Sequence, residues 1–231
     1  LEYPIDLKVI SRADWGWQPL DRVLPKHTVN KITIHHGGEE FAEDKDIIQY
    51  LRNLQSWSRS EKNWIDIPYH FMIDLKGNIY EARPLNFPGD TNTDYDVTGH
   101  VLICVVGNYE VQKLSDASLN SLVRLTAFLK QKYRVETKDI RTHKDYTNQT
   151  VCPGKDLYKH FEDGTFIKMV ETELNQSKVV VSPTVKTGIE VLRDRNFDIL
   201  KGKRVGLVTN PTGVDSKLKS TIDILFEAKE V

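Results

Sequence analysis

Three side chains in this sequence are of kinds that hold metal ions: His35, His143 and Cys152. Two imidazoles and one thiolate are borderline-soft ligands that suit Zn²⁺. Three protein ligands leave one tetrahedral position open for water, where a closed structural site uses four. An ion held in this way brings the pKa of water down to about 7 and polarises a carbonyl. More than a hundred residues separate His35 from His143, so no short zinc signature applies, and no HExxH helix is present. On type and spacing alone, His35 and His36 also read as ordinary strand histidines and Cys152 as a turn cysteine.

The elements around these residues decide what they can reach. Lys31 to His36 (KITIHH) reads as a strand in which Ile32 and Ile34 share one face and Thr33 and His35 the other. If the isoleucine face is core, His35 points away from it and His36 is a packed, hydrogen-bonded histidine. Ile47, Ile48, Leu51 and Leu54 recur at helical spacing, predicting a helix over Asp46 to Trp57. Tyr69 to Asp74 and Asn78 to Arg83 flank a Gly-containing turn and predict a β-hairpin, with Tyr69, Phe71 and Ile73 on one face. Pro84 to Gly99 is a long polar loop, a length often tied to function. Val101 to Val106 is a continuous apolar run, as expected of a strand buried on both faces. Ser115 to Tyr133 is a strong helix, and Ile140 to His143 a short strand. A further helix spans about Lys155 to Leu174, with Gly164 a break point.

Composition bounds the function. The chain has 231 residues, 39% hydrophobic and 28% charged, with a formal net charge of −1, and this excludes wholesale disorder and gives no basic footprint for nucleic acid. No stretch approaches the roughly 18 apolar residues that cross a bilayer. Two cysteines exclude a disulfide scaffold, and Cys104, within an apolar run, reads as a small hydrophobe. A Cys104–Cys152 disulfide is the bland alternative and would destroy the site. The opening on Leu1 suggests a processed or trimmed form. The expected organisation is a domain over residues 1–174, a linker over 175–187 and the start of a second α/β domain over 188–231. In that last part Lys203 to Thr209 reads as a buried strand and Ser220 to Ala228 as a helix, together a short βα fragment.

Residues 9–165 resemble the type-2 N-acetylmuramoyl-L-alanine amidases and the peptidoglycan recognition proteins. The resembling stretches are Ser11 to Trp15 (SRADW), Ile32 to Gly37 (ITIHHG), Trp64 to Phe71 (WIDIPYHF), Gly77 to Arg83 (GNIYEAR), Val105 to Asn108 (VVGN) and His143 to Gly154 (HKDYTNQTVCPG). The resemblance implies a mixed central β-sheet flanked by helices, of α/β class, with Zn²⁺ on His35, His143 and Cys152. It implies that Tyr69 is a catalytic tyrosine and that Thr150 falls where relatives carry Lys or Thr to stabilise an oxyanion. Its substrate is peptidoglycan or a muropeptide, cut at the amide between N-acetylmuramic acid and L-alanine, in an extracytoplasmic setting, periplasmic or secreted. The alternative is a recognition module that binds the wall without cutting it. Non-catalytic members generally lack the metal Cys, which this sequence keeps.

Two departures from the family pattern stand out. The interval from His143 to Cys152 is one residue longer than the commonest spacing. Where many relatives carry a substrate-loop His, the aligned segment Pro88 to His100 (PGDTNTDYDVTGH) places Thr91, making Asp90, Thr91 and Asn92 candidate substrate contacts, each equally at home in plain turn chemistry. His100 reads as structural and Asp145 as a loop-surface aspartate. Residues 188–231 resemble the opening of an exo-acting β-N-acetylmuramidase family, which would add a glycosidase domain beyond this stretch; a generic βα unit is the plainer reading.

Overall fold

The computed structural model describes residues 1–179 and 186–228, which fall into two units, the first ending at Val179. In the first unit the chain runs through β1 (Val9–Ile10), α1 (Arg12–Trp15), β2 (Lys31–His36), α2 (Ile47–Ser60), β3 (Phe71–Ile73), β4 (Ile79–Glu81), β5 (His100–Val105), α3 (Asp116–Tyr133), β6 (Ile140–Thr142), α4 (Lys155–Glu162) and α5 (Thr165–Val179). Polar residues start the helices where the sequence places them. The Asp46 carboxylate accepts the Ile48 and Gln49 backbone N–H groups at 2.8 and 3.1 Å, and Ser115 Oγ accepts the Ser118 N–H at 3.1 Å. Gly164, at φ +73°, separates α4 from α5 at the expected break.

The six strands form one mixed sheet in the order β1-β4-β3-β5-β2-β6. β3 and β4 pair antiparallel as a hairpin, and every other neighbouring pair is parallel. Strand alternation divides the core in two. Ile32, Ile34, Phe71, Ile73, Val101, Ile103 and Val105 face the side packed with Leu122, Leu125 and Leu129 of α3 and with Phe166 and Val170 of α5. Met72, Tyr80 and Cys104 face the other side, packed with Trp15 of α1 and Leu51 of α2. His35 and Thr33 belong to this second side by the same alternation, as expected. Burial on both faces explains why β5 carries no polar residue between Val101 and Val105.

Two expectations are corrected. Tyr69 does not share the face of Phe71 and Ile73. β3 begins only at Phe71, and the irregular backbone before it, where the His70 N–H bonds Leu102 O at 2.9 Å, turns the Tyr69 ring to the opposite side, against Cys104 and Met72. In the second unit, Lys203 to Thr209 is not a buried strand: these residues are exposed and belong to no strand among the described residues. That unit contains α6 (Gly188–Asp194) and α7 (Thr221–Glu227), with Phe197 and Ile224 buried. Of the expected linker, α5 takes in residues up to Val179, and 180–185 lie outside the described residues. Among the described residues no helix is long and apolar enough to cross a membrane.

Candidate functional site

Parallel pairing brings the two distant histidines together. Ile34 on β2 lies opposite Thr142 on β6, so the residues that follow them, His35 and His143, fall side by side towards the strands' C-terminal ends. Their ring centroids are 4.6 Å apart. The 143–152 loop then returns to the sheet. The Lys144 N–H bonds Cys152 O at 2.9 Å, which closes the longer interval, and the Cys152 N–H bonds Thr150 Oγ1 at 3.0 Å. Gly154 locks the turn, because at φ +83° a Cβ there would stand 2.4 Å from the Tyr109 carbonyl carbon. As a result the donor atoms of His35, His143 and Cys152 all lie within 4.8 Å of one another, and all three residues are buried. Both cysteines are free thiols, which removes the disulfide alternative.

These donors fit a zinc ion. A tetrahedral Zn²⁺ with nitrogen at about 2.0–2.1 Å and sulfur at about 2.3 Å sets adjacent N and S ligands about 3.6 Å apart. His35 Nδ1 and Cys152 Sγ stand at 3.7 Å. Burial, followed by the neighbouring His143, holds the His35 imidazole well below its ordinary pKa. Burial, followed by His36, pushes His143 down to about 4. Both rings are therefore neutral at pH 7, as metal ligands must be. Burial pushes the Cys152 thiol up to about 12, against the opposing pull of the His36 backbone N–H, which donates to Sγ at 3.3 Å. A thiolate in such a place needs a cation, and that N–H is already aimed at it.

His36 itself is packed, as expected of the core side: its Nδ1 accepts the Tyr109 N–H at 3.2 Å. His100 is structural, with Nδ1 and Thr33 Oγ1 2.7 Å apart. Asp145 is exposed, as expected of a loop-surface aspartate, and its carboxylate accepts the Thr142 N–H and hydroxyl at 2.8 and 2.7 Å, which braces the turn carrying His143.

Beside the three donors runs an open groove of about 320 Å³. Tyr69, Thr150, Asp90, Thr91, Asn92 and Trp64 all border it. The Tyr69 ring packs against His35 with centroids 5.1 Å apart, and burial drives its phenol well above the usual tyrosine pKa, so it is a donor at any ordinary pH. Asp90 is engaged: it forms an ion pair with the buried Arg83 guanidinium. Thr91 Oγ1 lies 3.3 Å from His143 Nε2. Two further residues escaped the sequence reading. Thr93 Oγ1 is 2.7 Å from His143 Nε2, and Tyr95 OH is 3.2 Å from His35 Nε2. The signal that could have found them is the run of hydroxyls at positions 91, 93 and 95 in a loop otherwise made of turn residues.

Fold and site together define an α/β domain in which parallel strands bring two histidines, and the following loop a cysteine, to one groove. The family model described as N-acetylmuramoyl-L-alanine amidase matches residues 25–155, and the chain belongs to that family. Peptidoglycan-recognition protein SD of Drosophila simulans is 28% identical over 165 residues, covering 66% of this chain and 83% of the relative. The crystal structure of Drosophila peptidoglycan recognition protein SD superposes with TM-score 0.61 at 24% identity, over 68% of this chain and 94% of that one. The N-acetylmuramoyl-L-alanine amidase LysC from Clostridium intestinale superposes with TM-score 0.56 at 23% identity, over 68% and 97%. At those identities the two structures establish the shared fold alone. A local match of 40% identity over 68 residues links the chain to peptidoglycan beta-N-acetylmuramidase NamZ of Bacillus subtilis, over 29% of this chain. It spans only 16% of that protein, too small a share to place a glycosidase domain here.

Proposed function

We propose that this chain is a zinc-dependent hydrolase that cleaves the amide between N-acetylmuramic acid and L-alanine in peptidoglycan or muropeptides, in an extracytoplasmic setting. The observation that carries the reading is the convergence of His35, His143 and Cys152 within 4.8 Å beside an open groove. His35, His143 and Cys152 would hold the ion, which when bound supplies Lewis acidity and lowers the pKa of water. The chain's own residues do the rest. The groove is open along the sheet end, which suits a polymer of sugar and peptide. Tyr69 and Thr150 both border it, and their hydroxyls can donate to the oxygen that gains charge as the amide carbonyl is attacked. Thr150 gives a neutral donor where a lysine would add a full charge, so Tyr69 carries the larger share.

Digestion of a purified muropeptide, followed by mass spectrometry, tests this directly. Zinc-loaded protein is expected to release a peptide with a free L-alanine amine, and a chelator is expected to stop the release until zinc is restored. The names of the recognition-protein relatives motivate one rival, a module that binds the wall without cutting it. Binding of the muropeptide by zinc-loaded protein with no peptide released would establish that rival. Tyr69→Phe separates holding the ion from using it. The variant is expected to keep stoichiometric zinc and to lose about 10²–10³ in kcat, the usual scale for one oxyanion donor. A kcat equal to wild type would remove Tyr69 from the mechanism.

A further inference from the structure

We infer that Thr93 and Tyr95 are positioning residues for the two candidate ligand histidines, so that a single loop, residues 90–96, sets how tightly the site grips its metal. The inference rests on the zinc reading above. Each neutral imidazole has one N–H and one lone pair, and a metal takes the lone pair. The outer nitrogen must then carry the hydrogen and find an acceptor, which fixes both tautomer and ring orientation. On His35 the division is visible: Nδ1 faces Cys152 Sγ at 3.7 Å, and Nε2 faces the Tyr95 hydroxyl at 3.2 Å. On His143, Nε2 is taken by Thr93 Oγ1 at 2.7 Å, which leaves Nδ1 for the ion.

The two hydroxyls are themselves held. Thr93 is oriented by Thr91, whose Oγ1 lies 2.8 Å from its hydroxyl and accepts its backbone N–H at 3.1 Å. The Tyr95 ring stacks on Tyr146 at 5.3 Å and also packs on His143 at 5.0 Å. The loop is fastened at both ends. Asp90 pairs with Arg83, and the Asp94 N–H donates to Gln149 Oε1 at 3.0 Å while its carboxylate accepts the Thr147 hydroxyl at 2.7 Å. Gln149 and Thr147 belong to the segment that carries Cys152. One loop therefore braces both histidines and is tied to the strand of chain bearing the third donor. It also borders the groove through Asp90, Thr91, Asn92 and Thr93.

The test is zinc affinity, measured by competition with a chromophoric chelator, for wild type, Thr93→Val, Thr93→Ser and Tyr95→Phe. Thr93→Val replaces the hydroxyl with a methyl of similar size and Tyr95→Phe deletes the phenolic oxygen, and each is expected to weaken zinc binding by about 10–100-fold. Thr93→Ser keeps the hydroxyl and is expected to bind close to wild type, which separates a lost hydrogen bond from a disturbed fold. Unchanged affinity in both oxygen-deleted variants overturns the inference. A loss in Thr93→Ser as large as in Thr93→Val overturns it too, because the hydroxyl would then not be the cause. If wild type itself retains no zinc, the metal reading falls first, an outcome distinct from either of these.

Discussion

Replacing Cys152 with serine is expected to remove zinc and amide cleavage together while leaving the apoprotein folded. The side chains differ by one atom, and the Ser Oγ can still accept the His36 N–H that now reaches the sulfur at 3.3 Å. The core therefore keeps its packing, and near-UV circular dichroism of the apoprotein should match wild type. What changes is the ligand. A thiolate binds zinc as an anion, whereas a serine hydroxyl stays protonated and offers a weaker, harder oxygen. The loss should exceed the about 10–100-fold typical of an outer partner, because a direct ligand has gone. His35→Ala is expected to do the same by a different route, since it removes the imidazole 3.7 Å from that sulfur. Metal content by atomic emission and peptide release by mass spectrometry read both effects. A Cys152→Ser protein with full zinc and full turnover would mean that the sulfur is not a ligand.

The face on which His35 lies was legible because it depends on a periodic element, whereas His143 and Cys152 came from the family resemblance. Alternation along Lys31 to His36 placed His35 opposite Ile32 and Ile34, and the sheet preserved that alternation across β5 and β3. A period of two survives tertiary packing because it is a property of the pleat itself. The same rule failed at Tyr69, which lies two residues before β3 on irregular backbone, where alternation has no meaning. The buried-strand reading of Lys203 to Thr209 failed for a different reason. Val205 and Leu207 alternate like a strand, but a strand exists only when a neighbour completes its hydrogen bonds.

The bracing of the site was not legible, for a related reason. Thr93 and Tyr95 lie in a loop whose course is set by contacts far away in sequence, such as Asp90 with Arg83 and Asp94 with Gln149. No local pattern encodes those contacts. Composition marked the loop only as turn chemistry, and a resemblance in which the corresponding segment holds a substrate-loop His drew attention to Thr91. The structure places Thr91 on the groove with its hydroxyl 3.3 Å from His143 Nε2 and 2.8 Å from Thr93 Oγ1. Function-bearing side chains on strands can thus be read from sequence, while the side chains that orient them require the fold.

Arg83→Met is expected to be among the most destabilising single changes in the domain, at about 3 kcal/mol. The guanidinium is fully buried, and four of its five N–H groups donate. Nε donates to Ile67 O at 2.9 Å, Nη1 to Pro88 O at 2.7 Å and Nη2 to Asp66 O at 2.9 Å, with the Asp90 ion pair beside them. These acceptors lie on the segment leading to Tyr69 and on the start of the 90–96 loop, so one side chain fastens both walls of the groove. Burial lowers the Arg83 pKa and Asp90 opposes that shift; the group nonetheless remains charged, as arginine does in proteins. Methionine fills much of the volume but supplies no donor, leaving three carbonyls and one carboxylate without their partner. Breaking a buried pair from one side costs about 3–5 kcal/mol. The Asp90 side chain is 26% exposed, so water recovers part of its loss and the lower end of that range applies. Arg83→Lys should recover only a fraction, because a single ammonium cannot span acceptors arranged for a planar fork. Asp90→Asn should cost less than either, since an amide oxygen still accepts. Urea unfolding distinguishes these cases as a fall in midpoint at constant slope. Should Arg83→Met unfold at the wild-type midpoint, the carbonyls must be reaching water, and the groove walls are held by something other than this guanidinium.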